Sequence, residues 1–311
     1  MTKKRDHGGG LDAAIRQYGG DRADWLDLST GINPEPYPLP ALAPDTWTAL
    51  PDEAAFADLY ASARKFWNIP EGADIIAATG ASAIIAAIPR VLHGQTVEIT
   101  KPTYNEHAAA FVASGWREAA TTPDVQVVVH PNNPDGRLWQ PSELSAPIKV
   151  IDESFCDVCP LDSLIALAAQ PKTVVLKSFG KFWGLAGMRL GFAVGDPKII
   201  AQLRALLGPW QVNGPALATG RAALDDSGWA EATRARLAKD ADRLDQLMAH
   251  TGAQCIGGTT LFRLYDVADA AAFQHRLAQH RVWSRIFPYS QTWLRLGLPA
   301  ADRWTQLEAA L

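Results

Sequence analysis

SFGKFWGLAGMRLGF, Ser178 to Phe192, follows directly on the apolar run TVVLK, residues 173–177. Val174, Val175 and Leu176 stand side by side without polar alternation, the pattern of a strand covered on both faces. The stretch after them carries four glycines, Gly180, Gly184, Gly187 and Gly191, which let backbone approach a ligand closely. Within it, the Ser178 hydroxyl and the forked Arg189 guanidinium are donors suited to a phosphate. A lysine on its own after a strand is ordinarily a surface residue with its amine in water. Lys181 differs in its company. Neighbouring cations and apolar walls lower an amine's pKa, which suits attack on a carbonyl.

Working outward, strands and helices alternate. ADIIAAT (73–79), TVEIT (96–100), VQVVVH (125–130), IKVID (148–152), TVVLKS (173–178) and GFAVG (191–195) read as strands. GASAIIAAIPRVL (80–92), EHAAAFVASG (106–115), LDSLIALAA (161–169) and PKIIAQLRAL (197–206) read as helices between or after them, and a further helix spans about 52–67. Such alternation predicts an α/β domain with a mainly parallel sheet between helices. The C-terminal third changes character: a long charged helix over about 228–250 precedes the strands TTLFRLYDV, VWSRIF and TWLRLGL and the helix AAAFQHRLAQH. This predicts a smaller α+β domain with an antiparallel sheet. Five prolines from Pro34 to Pro44 make the preceding segment an extended strap. The expected division is an N-terminal arm over 1–44, a large domain over 45–224 and a small domain over 225–311.

Bulk properties exclude several classes. The chain has 311 residues, 48% hydrophobic and 20% charged, with net charge −4 and an isoelectric point near 6.0. No basic field invites nucleic acid or an anionic membrane. No run approaches the roughly 18 apolar residues of a membrane span, and no signal-peptide core follows the basic start. Three cysteines make no disulfide framework, so a reducing, cytoplasmic location is expected. Cys156 and Cys159 form a CxxC without a second ligand pair, which reads as incidental, and no metal is expected.

Two upstream motifs share the order of the lysine segment. HPNNPDG (130–136) follows a strand end, and by itself is a good turn. IDESF (151–155) closes the next strand with an acid, often a helix cap in isolation. Taken with Ser-x-x-Lys and Gly-x-Arg-x-Gly, they resemble the signature of fold-type-I pyridoxal-phosphate enzymes, the aminotransferase superfamily.

The resemblance implies pyridoxal 5'-phosphate as cofactor, joined to Lys181. It implies that Asp152 pairs with the pyridinium nitrogen so that the ring acts as an electron sink, and that Asn133 bonds the phenolic oxygen. It further implies that Ser178, Arg189 and the Gly80–Ala81–Ser82 helix start bind the cofactor phosphate, and that Tyr104 of KPTYNEH stacks on the ring. Arg295 of WLRLGL, with Gly31 of STGINP and Asn133, would take a substrate α-carboxylate.

Within the superfamily the chain is most similar to the threonine-phosphate decarboxylases of cobalamin biosynthesis, with the histidinol-phosphate aminotransferases as near relatives. The His7–Gly8–Gly9 start, the Asp27–Pro34 strap and Phe155 carry this likeness. It implies that His7, Gly8 and Arg285 hold a substrate phosphate. The implied reaction is decarboxylation of O-phospho-L-threonine to (R)-1-aminopropan-2-yl phosphate and carbon dioxide, in a homodimer. An aminotransferase using 2-oxoglutarate and glutamate, or a non-catalytic cofactor-binding module, are the alternatives. Two departures stand out: Phe155 replaces a tyrosine that donates to the phenolic oxygen, and Leu50 replaces one that reaches the phosphate across a dimer interface.

Overall fold

The computed structural model describes Arg5 and residues 7–311. The chain divides into two compact units. The smaller takes the N-terminal residues through Pro36, the tripeptide Pro134–Gly136 and Ala232–Leu311, and the larger takes Tyr37–Asn133 and Arg137–Glu231. The divisions thus fall at 36/37, 133/134, 136/137 and 231/232.

Helix α1 (Leu11–Tyr18) and strand β1 (Leu26–Asp27) belong to the smaller unit. The larger unit begins with the short α2 (Asp45–Thr48) and with α3 (Glu53–Phe66), whose Asp52 cap accepts the Ala55 amide at 2.9 Å. Its strands are β2 (Asp74–Thr79), β3 (Thr96–Ile99), β4 (Arg117–Glu118), β5 (Val125–Val129), β6 (Ile148–Asp152), β7 (Thr173–Ser178) and β8 (Leu190–Gly195). They form one sheet in the order β2-β8-β7-β6-β5-β3-β4, parallel except for β8, which runs against both its neighbours. Helices α4 (Ala81–Val91), α5 (Asn105–Ala113), α6 (Pro197–Leu207) and α7 (Gly214–Asp225) complete the unit.

Strand side chains alternate between faces, and here the alternation sorts two cores. Val150, Val174 and Leu176 join Ile84 and Ile88 of α4, Phe111 of α5 and Ile200 of α6 in a single buried cluster. Each such fully buried side chain contributes about 1.5–3 kcal/mol. Trp67, Phe179, Phe182, Trp183 and Phe192 pack as a linked aromatic group, with Phe179 and Trp183 stacked 5.1 Å apart.

One expected helix is absent. LDSLIALAA folds as two 3-10 turns, Pro160–Asp162 and Ile165–Ala169. Glu153 takes the Ser163 hydroxyl and the Leu164 amide, so these groups serve a side chain rather than a helical ladder.

The boundary between the units falls within α8 (Ser227–Ala249). In the smaller unit β9 (Gln254–Thr259), β10 (Phe262–Asp266), β12 (Arg285–Phe287) and β13 (Ser290–Gly297) form an antiparallel sheet in the order β12-β13-β10-β9. Strand β11 (Val282–Trp283) pairs parallel with β1, and α9 (Ala270–Gln279) and α10 (Trp304–Glu308) complete the unit. TTLFRLYDV is therefore the turn and second strand of a hairpin, with β9 unforeseen because QCIGG carries little strand signal. No described helix is long and apolar enough to cross a membrane.

Candidate active site

Parallel strands collect their chain ends along one edge, and ligands bind open α/β sheets outside the carboxyl ends of such strands. There the larger unit holds a cleft with about 610 Å³ of atom-free space, open to solvent. Ala81, Ser82, Tyr104, Asn133, Asp152, Ser178, Lys181 and Arg189 all line it, together with Ser154 and Phe155. Gly80 lies at its rim as the residue before α4.

The phosphate-type donors gather at the start of α4. Gly80 turns the chain there with φ +78°, and the Arg189 guanidinium lies so close that a Cβ at Gly80 would meet its Nη2 at 2.5 Å. Arg189 itself occupies the left-handed region at φ 56°, a strained conformation for a non-glycine residue that clusters at ligand sites. A Cβ on Gly191 would come within 2.2 Å of the Ala81 amide nitrogen, so glycine lets β8 and the α4 start touch. A helix N-terminus, a guanidinium and the Ser178 and Ser82 hydroxyls make an anion cradle. Tyr104 leans into it through a hydrogen bond with Ser82. Burial, then the charges of Asp152 and Glu106, push its phenol up to about 12, so it stays protonated.

Asp152 is buried at the end of β6. His107 Nε2 donates to its Oδ2 at 2.8 Å, and the Ser154 amide and hydroxyl donate to Oδ1 at 2.9 and 2.5 Å. Burial alone would raise this carboxyl, but the His107 bond and charge and the Ser154 bonds outweigh it and hold the group below its ordinary range. The cleft thus keeps a buried carboxylate ionised. Lys181 Nζ lies 5.2 Å from the Phe155 ring centre, so that wall is apolar and offers no hydroxyl. Asn133 belongs to a turn whose preceding residue, Asn132, binds the Tyr104 segment: its Nδ2 donates to Pro102 O and its Oδ1 accepts from Thr103.

The smaller unit assembles the anion-binding candidates around Ser29. Arg295 on β13 is buried and donates Nη2–H to Ser29 O at 2.6 Å. Arg285 on β12 sits directly opposite Arg295 in register. Burial, then the Arg285 charge, push Arg295 down to about 9. Two facing cations held against that cost suit a ligand with anionic groups. Ser29 Oγ accepts the Gly9 amide at 2.7 Å and donates to Asp27. A Cβ on Gly8 would strike Ser29 O at 2.4 Å, so the His7–Gly9 segment lies flat on this strap beside the buried Gly31. His7 itself is exposed.

His107, Ser154, Asn132 and Ser29 were not foreseen. The signal for His107 was its place three residues after Tyr104, one helical turn away, and that for Ser154 was its adjacency to an acid. The Cys156 thiol donates to Cys159 O at 3.7 Å, and its pKa is pushed far up by a side-chain interaction with Cys159 and by burial, which leaves it an inert thiol. His130, Glu153 and Cys156 have donor atoms within 4.8 Å of one another. Yet His130 Nε2 is bonded to Asp162 O and Nδ1 to the Trp139 amide, so its ring has no lone pair to offer a metal.

Residues 116–311 match the family described as aminotransferase class I and II. The chain belongs to that family. Its relatives include a threonine-phosphate decarboxylase of Pseudomonas aeruginosa, 39% identical over 98% of this chain and 97% of that protein. Another of the same name from Sinorhizobium is 38% identical over 96% of this chain and 95% of its own length. The fold matches that of the histidinol-phosphate aminotransferase of Sinorhizobium meliloti in complex with pyridoxal-5'-phosphate, with TM-score 0.81, 18% identity and coverage of 100% of this chain and 94% of that one.

The protein is a pyridoxal-phosphate enzyme of the fold-type-I class, and its cleft fits the cofactor. The cradle at α4 offers donors for a phosphate, the buried carboxylate offers a partner for a protonated ring nitrogen, and the lysine offers the amine.

Proposed function

We propose that the enzyme decarboxylates O-phospho-L-threonine to (R)-1-aminopropan-2-yl phosphate and carbon dioxide, in the making of cobalamin, as a homodimer. The observation that carries this is the identity of 38–39% over almost the whole length with two threonine-phosphate decarboxylases. A histidinol-phosphate aminotransferase of Symbiobacterium thermophilum is 27% identical over 67% of the chain. The pair Arg285 and Arg295 supports a substrate with two anionic groups.

Bound pyridoxal phosphate supplies an electron sink conjugated to the substrate Cα. Lys181 is the residue that holds it covalently. Ser178, Arg189 and the Gly80–Ser82 helix start would hold its phosphate, Tyr104 would cover its ring, Asn133 would bind its phenolic oxygen and Asp152 would keep its ring nitrogen protonated. Arg295, with Gly31 and Asn133, takes the substrate carboxylate, while Arg285, His7 and Gly8 take the substrate phosphate. The cofactor would weaken one bond at Cα, the one that the binding residues hold in the position to break. Anchoring both ends of the substrate turns the carboxylate into that position. The Lys181 amine would be the group that delivers the proton Cα needs after carbon dioxide leaves.

For the dimer, Leu39, Trp47 and Leu50 supply an exposed apolar surface, 72%, 69% and 67% accessible. Leu50 also lines an open groove with Asp45, Asp58 and Arg221. Exposed apolar side chains that gather into one patch mark interaction surfaces.

Incubation with O-phospho-L-threonine, with products identified by mass spectrometry, tests the reaction. Carbon dioxide and aminopropanol phosphate in equal amounts are expected, with no keto acid. Glutamate formed from 2-oxoglutarate would instead identify an aminotransferase. Cofactor colour without turnover of any phosphorylated amino acid would identify a binding module.

A further inference from the structure

Neighbouring residues on a strand face opposite sides of the sheet. Beside Asp152 stands Glu153, and beside Ser178 stands Lys177. Lys177 Nζ donates to Glu153 Oε2 at 2.5 Å and lies 3.8 Å from Asp157 Oδ1, all three side chains being at most 5% accessible. Glu153 also accepts the Ser163 hydroxyl and the Leu164 amide. Asp157 accepts two indole N–H groups, each at 2.9 Å: Trp67 on Oδ1 and Trp183 on Oδ2.

Such a cluster is costly to bury and is weak grounds for stability, since apolar residues of like volume do as well. What it does well is specify one arrangement. The arrangement here is informative. The Lys177–Glu153 pair ties the ends of β6 and β7 together one residue from Asp152 and Ser178. Asp157 then reaches forward to Trp183, two residues beyond Lys181. Phe179, Phe182 and Trp183 are fully buried, so Lys181 is displayed on a loop anchored on both sides by buried aromatic side chains. Aromatic packing alone lets a ring slide or turn in its plane, whereas the Trp183–Asp157 bond fixes its rotation and so the register of the loop.

We propose that Lys177, Glu153 and Asp157 are positioning residues: through the Trp183 indole they set the place of the Lys181 amine against the cofactor. The proposal rests on the reading of Lys181 as the cofactor lysine. Glu153 is held by three donors from two segments, and Lys177 carries the counter-charge that lets both carboxylates remain buried. Trp67 provides an internal comparison, because it bonds the same carboxylate at the same distance but follows α3 and is not itself part of the lysine loop.

The test compares holoenzyme variants Trp183→Phe, Asp157→Asn, Lys177→Met and Trp67→Phe. Each is read by melting temperature, by the pH midpoint of the cofactor's visible absorption and by steady-state kinetics. Trp183→Phe keeps the stacked ring and removes only the donor. It and Asp157→Asn are expected to move the absorption midpoint by at least about half a pH unit and to lower kcat on the order of tenfold, with KM within about twofold. Trp67→Phe is expected to lower the melting temperature while leaving midpoint and kcat near wild type. Where Lys177→Met fails to fold, the contrast between the two tryptophan variants decides. Equal losses of melting temperature with an unmoved midpoint in Trp183→Phe and Asp157→Asn would overturn the proposal alone. The midpoint needs no substrate, so it survives a wrong substrate assignment. Borohydride trapping of cofactor on a lysine other than Lys181 in the wild type would overturn the site reading and this proposal together.

Discussion

His107 and Asp152 illustrate how one buried hydrogen bond sets a functional group's charge. With its Nε2–H on Oδ2 and two bonds from Ser154 on Oδ1, Asp152 stays ionised in a place that disfavours ions. A charge-assisted bond of this kind contributes about 1.5–3 kcal/mol. His107→Ala is therefore expected to weaken cofactor retention by about ten- to hundredfold, a range set by the same figure and measured as the dissociation constant of the reconstituted enzyme. The pH dependence has a definite sign. Because folding lowers the Asp152 pKa, its contribution to stability is fully present above the unfolded value of about 3.9 and is lost as pH falls through the folded value. The wild type should thus melt above Asp152→Asn at pH 6, with the gap narrowing below about pH 4. A gap that widens in acid would contradict the assignment. The cofactor-contact candidates were readable through the family resemblance that their types and order along the chain carry. His107 escaped notice because a histidine in an Ala-rich helix carries no such mark until α5 is folded against β6.

At the scale of elements, the join between β8 and α4 is the tightest point of the cofactor site. Gly191 leaves no space for a side chain, since its Cβ would sit 2.2 Å from the Ala81 nitrogen and 2.7 Å from the Gly80 carbonyl carbon. Gly191→Ala must force strand and helix apart, an overpacking that costs typically about 1–3 kcal/mol. Urea denaturation should show that loss, and cofactor phosphate binding should weaken with it, because the anion cradle lies at the same join. Full wild-type stability in this variant would mean that β8 moves freely, against the close packing seen here. The strands were legible from their unbroken apolar runs, since a strand buried on both sides has to be apolar throughout. The turns Pro160–Asp162 and Ile165–Ala169 were not, because their amides and hydroxyls are claimed by Glu153 from another strand. Local periodicity has no access to such a partner.

For the molecule as a whole, the exposed Leu39, Trp47 and Leu50 are the features a lone chain least needs. If they meet a second copy, Trp47→Asp combined with Leu50→Arg should shift the sedimentation coefficient from dimer to monomer at micromolar concentration while far-ultraviolet circular dichroism stays unchanged. A wild type that sediments as a monomer would refute the homodimer. By itself the amino-acid sequence determined the alternation of strands and helices and the class of fold through its apolar periodicity, and the cofactor chemistry through the family resemblance that Lys181, Arg189, Asp152 and Asn133 carry. Only the tertiary structure decided what surrounds those residues: His107 beneath Asp152, Ser29 beneath Arg295, and the Lys177–Glu153–Asp157 cluster beside the lysine loop. These are contacts between residues tens to hundreds apart in sequence. A long-range hydrogen bond leaves no periodicity in either partner's neighbourhood, so it becomes visible only when packing brings the two together.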